Sequence, residues 1–204
     1  MGSVMVGVDI GQKRDPTAIC VAEEDKREVG DRTESHFLIR HLERLALGTP
    51  YPEVADRVAQ VVGAVKEHSS TLWLYLDATG VGKPIVDLVA SRGLGTTPTA
   101  VYFTYGDRRI EKKRWEVLLG KAYLVSRLQM LLQSRRIHLP RTDEAERLSQ
   151  ELLDYEIRID ENANDRYGAF RVGTHDDLVT ALGLAVQIDP KVTRVTWGRP
   201  LYRW

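Results

Sequence analysis

Apolar residues in this chain come in short runs that stop at an acidic residue or a glycine. Residues 4–10 (VMVGVDI) are almost wholly apolar, which predicts a central strand buried on both faces. Gly11 to Asp15 reads as a turn with Pro16 after it, and Thr17 to Ala22, rich in β-formers, as a second strand. The polar stretch Glu23 to Glu34 predicts a loop or a ragged hairpin, and Phe37 to Leu42 a third strand. Leu47 to Tyr51 is turn-like, and Pro52 suits the first position of a helix. In that helix, spanning 52–68, Val54, Val58, Val61/Val62 and Val65 recur at steps of three and four. Leu72 to Leu76 is a fourth strand running straight into Asp77. Residues 84–92 form a short helix that Gly93 can terminate, and Thr99 to Phe103 is a fifth strand.

The longest helical period follows, through Trp115, Leu118, Ala122, Val125, Leu128 and Leu132, and Pro140 cannot continue it. A second helix is expected over 143–154. Tyr155, Ile157 and Ile159, then Tyr167, Phe170 and Val172, alternate around the turn-forming 161–165, which predicts a hairpin. Asp176 to Val186 is apolar nearly all round, so that helix should be buried. The remainder, from Ile188, has no clear period.

This order implies an α/β fold: a five-stranded mixed sheet, three antiparallel strands and then two parallel ones, flanked by helices, with an added hairpin near 155–172. The helix at 52–68 acts as a crossover that returns the fourth strand parallel to the first. Asp9 and Asp77, each at a strand's C-terminal end, then lie side by side, at the edge where open α/β sheets bind ligands. One domain over 1–188 is expected, with 189–204 a partly disordered tail.

Length changes this picture little: 204 residues suit one compact domain. Lys plus Arg and Asp plus Glu balance at 29 each, so any nucleic-acid contact must rest on a local patch. The one cysteine, Cys20, cannot make an internal disulfide, and one Cys with five scattered His does not suggest structural zinc. No apolar run approaches the roughly 20 residues of a membrane span. Met1-Gly2-Ser3 reads as an artificial start, as of a domain cut from a longer polypeptide.

The candidate chemistry lies in the acids. Asp9, Asp77 and the Asp176–Asp177 pair would gather four carboxylates, which repel one another unless a cation neutralises them. Oxygen-rich clusters suit Mg2+ or Mn2+, and two-ion phosphodiester cleavage is the reaction that most needs them. The blander readings are a turn-capping Asp9 and acidic residues favouring a helix N-terminus, with Thr174 as its cap and Asp177 three residues on. Successive helical side chains diverge by roughly 100°. One of the pair should therefore face the centre, here taken as Asp177, with Asp176 beside it. His175 is read as structural or substrate-binding. DATGVGKP fails as a phosphate-binding loop, because Pro84 stands where Ser or Thr should hold Mg2+. Arg108, Arg109, Lys112, Lys113 and Arg114, continued by Lys121, Arg127, Arg135, Arg136 and Arg141, form either a solvated face or a phosphate-contacting wall.

Taken together, VGVDIG with DPTAICVAE, LDATGVGKPIVDLV, GKAYLVSRLQMLLQSRRIHLP and HDDLVTALGLA resemble the nuclease domain of tailed-bacteriophage large terminases, of the RNase H-like (RuvC-like) superfamily. The blocks run in family order from residue 4 to about 188. The resemblance implies a metal-dependent endonuclease, using Mg2+ or Mn2+, that cuts concatemeric viral DNA during packaging in the host cytoplasm. It implies Asp9, Asp77 and Asp177 as metal ligands with Asp176 assisting, and Lys121 in the family's lysine position. Its implied partners are double-stranded DNA, a packaging ATPase domain with no counterpart here, the small terminase subunit and the portal protein. A chain without that ATPase should cut without translocating. Rival readings are an actin-like or sugar-kinase-like ATP-binding fold, a junction resolvase, and an assembly module with a degenerate site.

Overall fold

A computed structural model describes residues 2–11, 15–69, 71–80, 82–159, 165–168 and 175–190. The chain opens with β1 (Val4–Asp9), β2 (Ala18–Val29) and β3 (Arg32–Arg44), followed by α1 (Tyr51–Lys66), β4 (Leu72–Asp77), α2 (Lys83–Ala90) and β5 (Thr99–Thr104). Next come β6 (Arg109–Lys113), β7 (Glu116–Gly120), α3 (Lys121–Gln133), β8 (Ile137–His138) and α4 (Asp143–Asp154). The hairpin strands β9 (Glu156–Ile159) and β10 (Asp165–Gly168) and the helix α5 (Asp177–Ala185) complete it.

The main sheet has the order β6-β7-β5-β4-β1-β2-β3-β8, and β9 pairs with β10 in a separate two-stranded sheet. Its centre is the expected five-stranded arrangement. β1 to β3 are antiparallel neighbours, and α1 returns the chain so that β4 lies parallel to β1, with β5 parallel to β4. Three further strands widen it: β7 and β6 beyond β5, and the short β8 beyond β3.

Period two along β1 and β4 divides the core. Val4, Val6 and Val8, with Leu74 and Leu76, pack against α1 and α2 through Val54, Val58, Val62, Ile85 and Val89. Met5 and Tyr75 belong to the opposite face, closed by Leu124 and Leu128 of α3, Leu148 of α4 and Leu178, Leu182 and Leu184 of α5. α5 is sandwiched there, and eight of its nine residues are buried, as its apolar sequence requires.

Residues 23–34 form the hairpin, the second of the two expected alternatives: β2 and β3 stay paired out to Val29↔Arg32, and Gly30 takes a φ of 59° in the two-residue turn with Asp31. The outer residues of these strands are exposed, so no apolar alternation marks them. One sequence expectation is corrected: 115–132 is not one helix. Val117 to Leu119 form a strand against β5, Trp115 sits at the hairpin turn with a φ of 72°, and the helix starts only at Lys121. Apolar residues of a strand and of the next helix happened to share a spacing of three and four. The turn at 11–15 lies partly, and the turn at 161–165 mostly, outside the described residues, as does the tail from 191 and the proposed cap Thr174. Among the described residues no helix is long and apolar enough to cross a membrane.

Candidate metal centre

The alternation that sorts the core also aims the acids. On β1, Met5, Gly7 and Asp9 share the α5 face; on β4, Trp73, Tyr75 and Asp77 do. The parallel register Val8↔Leu76 makes Asp9 and Asp77 the next pair along, and their carboxyls share a hydrogen bond. The start of α5 brings Asp176, half-buried at the N-cap, and Asp177, only 1% exposed, to the same rim. Gly7 allows this, because α5 lies directly on its backbone.

Burial pushes the Asp9 carboxyl well above the usual carboxylate range, and the neighbouring charges of Asp77, Asp176 and Asp177 push it further, in that order; Lys121 works against them. Asp77 is also raised by burial, opposed by hydrogen bonds from Thr79, by Lys121 and by the bond to Asp9. Thr79 links the strands: its backbone N–H donates to Asp77 Oδ1 at 2.7 Å, and its Oγ1 accepts from the Phe103 N–H at 2.7 Å. Lys121, the first residue of α3, holds its Nζ 5.6 Å from the centre of the Phe103 ring.

Asp177 has two differently employed oxygens. Oδ2 accepts from Arg44 Nε at 2.5 Å, while Oδ1 is buried with no hydrogen-bond partner and lies 3.6 Å from His175 Nδ1. Arg44 also pairs with Glu151 of α4, whose other oxygen, Oε2, accepts from the N–H groups of Leu178 at 3.1 Å and Val179 at 3.4 Å. Neither Arg44 nor Glu151 was singled out from sequence. Glu151 carried a signal, an acid falling on the buried stripe of Ala145 and Leu148; Arg44, at a strand end, carried none.

A divalent cation fits these residues. A buried oxygen on Asp177 without a hydrogen-bond partner among the described residues, and an Asp9 carboxyl raised by burial and then by neighbouring carboxylates, both ask for positive charge. Among the described residues no group of three or more His, Cys, Asp or Glu side chains is arranged to hold a metal ion by itself.

The basic residues are dispersed. Lys121 joins the carboxylates. Arg108 is exposed near the same rim, while Lys112, Lys113 and Arg114 follow β6 toward the far end of the sheet, where Arg114 stacks over Trp115 at 5.2 Å. Arg109 is occupied by Gln187 and Glu111, Arg127 by the Val186 carbonyl and Asp189, and Arg136 by the Ser35 carbonyl and Asp189. Lys83 pairs with Asp87 at the surface, so the DATGVG loop does not present it as a phosphate ligand.

The raised Asp9 sets a sign for stability. The folded protein holds a proton that the unfolded chain would release. This group's contribution is thus full below the unfolded carboxylate value of about 4 and is lost as pH rises through the raised folded value. Asp9→Asn removes that loss. In EDTA above neutral pH the variant should melt several degrees higher than the parent, and the gap should close as pH falls to about 4. A melting temperature at or below the parent's above neutral pH would contradict the electrostatic reading.

No protein-family description and no curated protein matches the chain by sequence. Solved structures do match by shape. The large terminase nuclease from thermophilic phage G20c is 21% identical with a TM-score of 0.63, over 90% of this chain and 81% of that one. The large terminase nuclease domain of bacteriophage SPP1, with bound Mn, is 17% identical with a TM-score of 0.53, over 90% and 84%. The HK97 bacteriophage large terminase is 14% identical with a TM-score of 0.57, over 92% of this chain and 39% of that one. With its mixed sheet, its buried last helix and the acids gathered where the two meet, the chain has the RNase H-like fold of phage large-terminase nuclease domains.

Proposed function

We propose that this chain is a metal-dependent DNA endonuclease, the nuclease domain of a phage large terminase, which cuts concatemeric viral DNA during genome packaging. The observation that carries the reading is the convergence of Asp9, Asp77 and the Asp176–Asp177 pair from two central strands and a buried helix, with Lys121 beside them. The fold shared with terminase nucleases supports it, as does bound magnesium in the G20c nuclease and bound Mn in that of SPP1.

Asp9, between Asp77 and the start of α5, is the group placed to serve both sides of the centre. Asp77 and Asp177 would hold the ions with it, and Asp176, which weighs on Asp9 more than Asp177 does, would assist. Bound Mg2+ or Mn2+ would neutralise the scissile phosphate and lower the pKa of the attacking water. Lys121 adds a fixed positive charge for the phosphate. Arg108, Arg109, Lys112, Lys113 and Arg114 are the proposed DNA contacts, with Arg109 also engaged within the protein. In this reading the partners are duplex DNA, a packaging ATPase domain, the small terminase subunit and the portal, in the host cytoplasm.

Supercoiled plasmid is the test substrate. Nicking and linearisation should appear with Mn2+ or Mg2+ and vanish in EDTA. Tight ATP binding without any metal-dependent nicking would reject the nuclease reading. Preferential cutting of four-way junctions over linear duplex would reassign the substrate.

A further inference from the structure

The ion-paired group behind the carboxylate rim is expensive. Arg44 is 18% exposed at its side chain, Glu151 8% and Asp177 2%, so three charges are largely withdrawn from water. Buried ion pairs seldom repay their desolvation against an apolar packing of the same volume, so stability alone does not account for this one. Its geometry does suggest a use. Arg44 addresses two carboxylates with two different nitrogens, Nε to Asp177 and a terminal nitrogen to Glu151. Only a planar guanidinium does this; a lysine ammonium is a single point. Glu151 in turn receives the first free amides of α5, a helix that has no side-chain cap of its own at Asp176.

We propose that Arg44 and Glu151 are positioning residues for the metal centre. Together they fix the start of α5 and hold Asp177 by Oδ2, which leaves Oδ1 fixed in orientation as the oxygen offered to a divalent cation. The proposal rests on the nuclease reading of the rim. The arrangement agrees with it: one guanidinium stands between two carboxylates, and among the described residues the buried Oδ1 has no hydrogen-bond partner, with His175 Nδ1 at 3.6 Å. The end of β3, α4 and α5 are joined in one chain of contacts, so the orientation of Asp177 is set by elements on two sides.

The test is a Mn2+ titration of the full chain by electron paramagnetic resonance, with an uncleavable phosphorothioate duplex present. It compares the parent with Arg44→Lys and Glu151→Gln, alongside duplex binding in EDTA, circular dichroism and plasmid cleavage. Arg44→Lys keeps the charge and loses the two-point geometry. It should fold and bind duplex as the parent does, yet need roughly 10–100-fold more Mn2+ for half-saturation, with cleavage partly recovered at high Mn2+. Glu151→Gln keeps an acceptor for the α5 amides and should weaken Mn2+ uptake less.

A folded Arg44→Lys with the parent's titration overturns the proposal. If that variant does not fold, a folded Glu151→Gln with the parent's titration does so instead, and a parent that takes up no Mn2+ overturns it as well. A parent that binds Mn2+ through this bridge but cuts no DNA sinks the nuclease reading and leaves the bridge standing. A parent that cuts while Arg44→Lys titrates normally does the reverse.

Discussion

Asp9→Asn should abolish plasmid cleavage, with a fall in rate of about a thousandfold or more, while leaving the molecule folded. Asp9 feels all three other acids, and its carboxyl already shares a hydrogen bond with Asp77. Removing its charge costs the proposed centre its shared ligand. Loss of a single preorganised electrostatic group costs about 10²–10³ in rate, and a lost metal contact adds several kcal/mol of transition-state stabilisation. Asparagine matches aspartate in shape and can keep the bond to Asp77, so the sheet should be undisturbed. Cleavage is measured with the parent and the variant at saturating Mn2+, with melting curves alongside. Near-normal cutting by a folded Asp9→Asn protein would reject the assignment of the site.

Gly7→Ala should be strongly destabilising. An added Cβ would stand 2.2 Å from the Ala181 carbonyl oxygen, 2.6 Å from the Ala185 nitrogen and 2.9 Å from the Leu184 Cβ. Two of these are backbone atoms of α5, so no side chain can rotate away. Overpacking a core ordinarily costs about 1–3 kcal/mol, and a clash with backbone belongs at or above the top of that range. Relief requires α5 to lift from β1, which carries Asp176 and Asp177 away from Asp9. A displacement of about 1 Å at a catalytic group can cost a hundredfold. Urea unfolding should therefore show a large loss of stability, and the fraction that still folds should cut poorly. A variant with the parent's midpoint and activity would show that strand and helix are not in such close contact.

Much of this was written in the residue pattern, because the central elements are buried and burial leaves a period. VMVGVD, LWLYLD and DLVTALGLA declared two interior strands and an interior helix, and the acid in each declared the rim. The five central strands and their directions followed from connection lengths alone. The pattern is weaker where burial stops. The outer ends of β2 and β3 are exposed, so loop and hairpin could not be told apart there. The β6–β7 hairpin lies at the sheet's edge, where charged residues alternate with one exposed Ile110, and its strand period was absorbed into that of the following helix. The basic cluster was legible only as charge. A run of Arg and Lys fixes charge but not direction, and along a strand successive side chains part company, so Arg109 turns to Gln187 while its neighbours remain outside. Arg44 was invisible because a bridge between two helices distant in sequence has no local signature.

The acids of the rim stand on the two innermost strands and on a helix enclosed by the protein's own core. Elements so deeply buried belong to the part of a fold that opens last. If the proposed nuclease reading holds, restraint between cuts would act from outside, by governing when a duplex is admitted to that rim.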